Sequence, residues 1–125
     1  MAKQIWIVDD DEEMIRAVRL MLKLLDGEVT SFFNARAAAQ AVLEGRRPDL
    51  FILDINMPEV TGLDLLEFLR RREATRSLPV VMLSTEASDV MIDRARELGA
   101  DAYVSKPVTI EELERAMNEA LAKRT

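Results

Sequence analysis

The chain has 125 residues, a size typical of one compact domain, and 49% of them are apolar, enough for one sizeable core. It contains no Cys and no His, which excludes a disulfide scaffold, thiolate or imidazole metal sites and every catalytic arrangement built on histidine. With 17 Lys plus Arg against 23 Asp plus Glu, the net charge of -6 works against non-specific attraction to nucleic acid or an anionic membrane.

The start, Met1-Ala2-Lys3-Gln4, lacks the architecture of a signal peptide, and no apolar run approaches the roughly 20 residues that span a bilayer. A soluble cytoplasmic protein is the expectation. Gln4 to Val8 reads as a first strand. Glu12 to Leu25 follows as a helix, with Met14, Ile15, Val18, Met21, Leu22 and Leu25 at helical spacing and Gly27 as its stop. Glu28 to Phe33 reads as a second strand whose mixture of Glu28 and Thr30 with Val29 and Phe32 suits a sheet edge. Ala35 to Glu44 is helical, capped by Asn34 and ended by Gly45. Leu50 to Leu53 is a third, wholly apolar strand, and a helix over Leu63 to Arg72 begins after Gly62. Arg70-Arg71-Arg72, with Arg76, reads as a solvated basic helix end rather than a nucleic-acid contact. Pro79 to Leu83 forms the fourth strand, Asp89 to Leu98 a helix closed by Gly99, and Ala102 to Val104 the fifth strand. The last helix starts on a capping-box pattern, Thr109-Ile110-Glu111-Glu112, with Leu113, Met117 and Leu121 on one face.

Five alternations of strand and helix imply a parallel sheet with right-handed crossovers and helices on both faces, a doubly wound α/β fold. No linker, repeat or low-complexity segment interrupts it, so residues 1–125 read as a single domain. Ligands of such open sheets bind outside the carboxyl ends of the strands. Function is therefore sought among the residues that follow each strand.

Asp9-Asp10-Asp11-Glu12-Glu13 follows the first strand and Asp54 the third. Taken alone, the acidic run serves the first turn of a helix and Asp54 serves a turn. Brought together in one crevice, like charges need a cation or a proton between them. Oxygen ligands favour Mg²⁺, which takes one or two protein carboxylates and reserves places for phosphate oxygens. Asp54 is then the candidate nucleophile of an acyl phosphate. Lys106, after the fifth strand, and Ser84 with Thr85, after the fourth, offer positive charge and donors to a phosphoryl group, or else a solvated lysine and ordinary turn residues.

In this ordered set the sequence resembles the receiver domains of two-component response regulators, from Ile5-Trp6-Ile7-Val8-Asp9-Asp10 through Asp54-Ile55-Asn56-Met57-Pro58 and Gly62 to Ser84-Thr85 and Lys106-Pro107. The resemblance implies a flavodoxin-like (βα)5 fold with strand order 2-1-3-4-5. It implies that Asp54 accepts the phosphoryl group, that Asp10 binds Mg²⁺ directly with Asp9 assisting through water, and that Asn56 gives the metal its backbone carbonyl. Asp11 continues the acidic run and leaves a one-residue ambiguity in the metal ligands, in which the strand pattern ending at Val8 favours Asp9 and Asp10. Lys106 would contact the phosphoryl group, Ser84 would move to hydrogen-bond it, and Tyr103 would be the aromatic switch. Pro107 would follow a cis peptide bond. Asn56 and Glu86 would tune hydrolysis, and Thr85 stands beside them.

The implied partners are a sensor histidine kinase or histidine phosphotransfer protein as donor and a downstream effector that reads the surface of the fourth helix, fifth strand and fifth helix. A homodimer on phosphorylation is compatible with that surface. No direct nucleic-acid binding and no membrane contact are expected of the domain. It would catalyse its own phosphorylation and dephosphorylation without being a dedicated turnover enzyme. A receiver-like binding module that works without phosphorylation, and an aspartyl-phosphate phosphohydrolase, are the alternatives. Asn56, where such hydrolases carry a second Asp, argues against the hydrolase.

Overall fold

Apolar runs fold as strands and amphipathic stretches as helices, in strict alternation: β1 (Lys3–Val8), α1 (Glu12–Leu24), β2 (Gly27–Phe32), α2 (Ala35–Leu43), β3 (Leu50–Asp54), α3 (Gly62–Arg71), β4 (Val80–Ser84), α4 (Asp89–Glu97), β5 (Ala102–Ser105) and α5 (Ile110–Lys123). This computed structural model describes residues 2–86 and 88–124; Met1, Ala87 and Thr125, and with them both ends of the expected 1–125 domain, lie outside the described residues. All strand pairs are parallel, in the order β2-β1-β3-β4-β5. The expected doubly wound topology is thus the observed one, with β2 half-buried at the edge.

Each strand sends alternate side chains to opposite faces, which makes two cores. Ile5, Ile7, Leu50, Ile52, Val81 and Leu83 pack under α1 and α5 against Ile15, Val18, Leu22, Leu113 and Met117. Trp6, Val8, Phe51, Leu53, Val80 and Met82 pack under α2, α3 and α4 against Ala38, Ala41, Leu65, Leu66, Leu69 and Ala95. β3 and β4 are buried along their whole length, as near-continuous apolar strands of a parallel sheet require. Trp6 is enclosed by Phe32 and Phe51, with the Arg46 guanidinium 5.4 Å from its ring centroid.

Side-chain caps fix where the helices begin. Asp11 accepts from the amides of Glu13 and Met14, and Asn34, Thr61, Ser88 and Thr109 each accept from the third residue onward. The reciprocal capping box is at Thr61 and Asp64, so α3 includes Gly62 rather than starting after it. At Thr109 only half of the expected box forms, because the Glu112 carboxylate takes the Thr109 hydroxyl instead of its backbone N–H. Gly27 does not stop α1. Asp26, at φ 62, makes the left-handed turn, and Gly27 opens β2, where a Cβ would stand 2.7 Å from Ile5 Cδ1.

The basic end of α3 is also not what the sequence suggests. Arg71 is exposed and pairs with Glu67, but the Arg70 side chain is only 12% exposed. Its guanidinium reaches Asp101 at 3.0 Å and the carbonyls of Gly99 and Leu78 at 3.0 and 2.7 Å. Asp101 in turn accepts from Arg124 Nε at 2.9 Å and from the Val80 amide at 2.9 Å. The carbonyl-rich base of the sheet holds this arginine, which is why solvation fails as its description.

Candidate functional site

Strand register decides the site. Val8 lies opposite Leu53, Asp54 opposite Leu83, and Ser84 opposite Ser105, so the residues following β1, β3, β4 and β5 emerge side by side. Ligand oxygens of Asp9, Asp10 and Asp54 all lie within 4.8 Å of one another, with Asp9 and Asp54 buried and Asp10 exposed. Lys106 reaches into the same crevice. Its Nζ donates to Asp54 Oδ1 at 3.0 Å and to Asp9 Oδ2 at 3.1 Å. The other Asp9 oxygen accepts from the Asp11 amide at 2.9 Å.

Three carboxylates facing one ammonium leave negative charge in excess. Burial, augmented by the charges of Asp9 and Asp10, holds the Asp54 carboxyl up at about 6 against the opposing hydrogen bond from Lys106. Burial disfavours the charged Lys106 ammonium, but its bonds and attraction to Asp54 and Asp9 outweigh that and push it up. A cation beside these oxygens would relieve the repulsion. Oxygens around Mg²⁺ stand about 2.1 Å from the ion, so two across it are roughly 4.2 Å apart, a span this cluster accommodates. A wholly oxygen donor set is the kind a hard cation takes.

Asp11 lies outside this cluster of three, its carboxylate accepting from the Glu13 and Met14 amides at the start of α1. Ser84 is fully buried at the end of β4, where its hydroxyl accepts from the Glu86 amide at 3.0 Å and stands 3.4 Å from Asn56 Nδ2. Tyr103 is half-buried and donates its hydroxyl to the Glu86 carbonyl at 2.7 Å. Burial raises its phenol. The peptide groups of Glu86 therefore link Ser84 to Tyr103. The side chains of Asn56, Thr85, Glu86 and Pro107 are exposed around the rim, and the Lys106-Pro107 bond is cis.

One of the residues that carry the resemblance has no side-chain chemistry of its own. Gly62 begins α3 against the backbone of Asp54 and Ile55, and its N–H donates to the Ile55 carbonyl at 3.1 Å. A glycine at a helix start reads as a boundary, and only the packing reveals the contact.

Residues 5–118 match the family model described as "Response regulator receiver domain". Among curated proteins, the phosphate regulon transcriptional regulatory protein PhoB of Pseudomonas aeruginosa is 32% identical over 123 residues, covering 98% of this chain and 53% of that protein. The polar-differentiation response regulator DivK of Brucella anthropi is 32% identical over 110 residues, 88% of this chain and 89% of that protein. The chain thus spans about half the length of the first of these and most of the second. Among solved structures, a putative response regulator from Chloroflexus aurantiacus superposes with a TM-score of 0.91 at 28% identity, covering 98% of this chain and 99% of that one. The Vibrio cholerae chemotaxis protein CheY4 gives 0.87 at 28% identity, covering 97% of this chain and all of that one.

Proposed function

Because this chain belongs to the response regulator receiver domains of two-component systems, we propose that it is a phosphoacceptor switch in which Asp54 takes a phosphoryl group from a phosphohistidine. The observation that carries the reading is the buried Asp54 carboxylate, held by Lys106 among the carboxylates of Asp9 and Asp10 at the carboxyl ends of the strands. Asp10 and Asp54, with the backbone carbonyl of Asn56, would hold Mg²⁺, and Asp9 would act through water, both of its oxygens being already hydrogen-bonded. The ion, when bound, supplies positive charge against the phosphoryl oxygens.

Lys106 binds Asp54 Oδ1, which would leave Oδ2 to face phosphorus. A carboxylate electron pair forms the O–P bond as the P–N bond of the donor imidazole breaks, with the leaving pair staying on nitrogen. The ammonium of Lys106 would neutralise charge on the transferred group. With no His in these 125 residues, the phosphohistidine lies outside them, on a sensor histidine kinase or histidine phosphotransfer protein, with a small phosphodonor as the other source.

Ser84 would then turn toward the new phosphoryl oxygens. Its hydroxyl is bonded to the Glu86 amide, and the Glu86 carbonyl is the acceptor for Tyr103, so movement of Ser84 disturbs the anchor of that ring. The population would shift toward an active surface on α4, β5 and α5, read by an effector or by a second copy. Asn56 and Glu86 line the rim where they would influence hydrolysis. In this reading residues 1–125 form one cytoplasmic receiver domain, self-modifying but not a turnover enzyme, with no nucleic-acid or membrane contact of its own. Asn56 lacks the proton-transfer chemistry that a phosphohydrolase would need there.

Intact-mass spectrometry after incubation with acetyl phosphate tests the proposal. A single Mg²⁺-dependent adduct on Asp54, absent from Asp54→Asn, is expected. An undiminished adduct in that variant, or none on folded wild-type protein, would overturn it.

A further inference from the structure

We infer that Gly62 is a positioning residue for the phosphoacceptor, seating the start of α3 on the backbone of Asp54 and so setting where the Asp54 carboxylate and the Asn56 carbonyl stand. This rests on the role of Asp54 proposed above. A Cβ at residue 62 would overlap the Asp54 carbonyl oxygen and stand 2.8 Å from its carbonyl carbon and 3.0 Å from Ile55 Cα. All of these are backbone atoms, so no side-chain rotation relieves the contact.

Neither side can retreat easily. The start of α3 is pinned by the Thr61 and Asp64 capping box and by Leu65 and Leu66, which are buried in the core. β3 is hydrogen-bonded between β1 and β4, and the Ile55 amide continues the ladder to the Leu83 carbonyl at 3.0 Å. The Ile55 carbonyl accepts from both Met57 and Gly62, each at 3.1 Å, which closes the loop carrying Asn56 onto the first turn of α3. Gly45 and Gly99 adopt positive φ, at 88 and 107, but Gly62 does not. Space, not backbone conformation, demands glycine at this position. Glycine is otherwise a poorer helix residue than alanine.

The test compares Gly62→Ala with Gly99→Ala, a variant that also creates a clash, 2.9 Å from Arg70 Cγ, but at the opposite end of the sheet. The first readout is the backbone amide resonances of residues 54–57 in metal-free protein. The second is the phosphorylation rate of folded protein at saturating acetyl phosphate and Mg²⁺. Gly62→Ala is expected to shift those resonances and to slow the saturated rate roughly 10- to 100-fold, the scale of an ångström-level misplacement. Gly99→Ala is expected to lose stability with rate and resonances intact. Wild-type resonances and rate in Gly62→Ala overturn the inference. If Gly62→Ala does not fold, Asp64→Ala, which unpins α3 while leaving Gly62 in place, should shift the Ile55 amide and slow the reaction by a smaller factor; no change in either overturns it equally. A wild-type protein that takes no phosphoryl group sinks the Asp54 reading instead, and the resonances alone then decide for or against Gly62.

Discussion

Asp54 is held where its charge is least comfortable. Its folded-state pKa of about 6 lies above the ordinary carboxylate value of 3.8 because the group is buried; the hydrogen bond and attraction of Lys106 counter the repulsion by Asp9 and Asp10 but do not offset the burial. The folded protein therefore binds this proton more tightly than the unfolded chain does. Its ionised form costs stability above about pH 6, and the cost shrinks as pH falls through 6 toward the unfolded value near 4. Asp54→Asn is accordingly expected to raise the unfolding free energy at neutral pH, in metal-free buffer, by about 1–3 kcal/mol. Urea denaturation of both proteins across acid to neutral pH checks this. The advantage of the variant should narrow as the pH is lowered, and an asparagine variant no more stable than wild type at neutral pH would refute the electrostatic account of the crevice.

Between elements, the ends of α3, β4, β5 and α5 meet at Asp101. This carboxylate, 4% exposed, accepts from Arg70, Arg124 and the Val80 amide. Arg70 is lowered to about 10 by burial and then by Arg124, and so stays charged at neutral pH. Asp101→Ala would strip the carboxylate from a partly buried guanidinium and from a buried amide together, for an expected loss of about 2–4 kcal/mol. Arg124→Ala, removing the more exposed cation, should cost about 1 kcal/mol or less. Chemical denaturation ranks the two, and an Asp101→Ala loss no larger than that of Arg124→Ala would show that the carboxylate does not hold these ends together. Such an arrangement was illegible in the sequence because Arg70 and Asp101 are 31 residues apart and an arginine run at a helix end looks solvated. The helix starts were easier: Asn34 declares a cap by its own chemistry. Gly27 misled because glycine ends helices by left-handed turns, whereas here Asp26 takes that turn and the glycine serves a close contact with β1.

At the scale of the whole molecule, the parallel sheet turns a linear order into a site. Asp9, Asp54, Ser84 and Lys106 could be picked out because each stands at or just beyond the end of a buried strand, and parallel pairing must bring such positions to one edge. The end of the first strand at Val8 favours Asp9 and Asp10 over Asp11; what the strand pattern does not supply is the helix cap, which depends on the turn at Asp11, where the side chain binds the amides of Glu13 and Met14. The same convergence couples the site to the stability of the entire fold. An ion that binds the three carboxylates only when the strands are assembled stabilises the folded state by mass action, roughly 2.7 kcal/mol at about 100 times its Kd. Excess Mg²⁺ is therefore expected to raise the melting temperature of the wild-type protein, while Asp10→Ala, which removes the exposed ligand and leaves the buried pair with Lys106 in place, should melt at nearly the same temperature with and without the ion. Thermal melts with Mg²⁺ or with chelator separate the outcomes: equal stabilisation of both proteins would mean that the ion acts by general screening, and that the cluster of Asp9, Asp10 and Asp54 does not hold it.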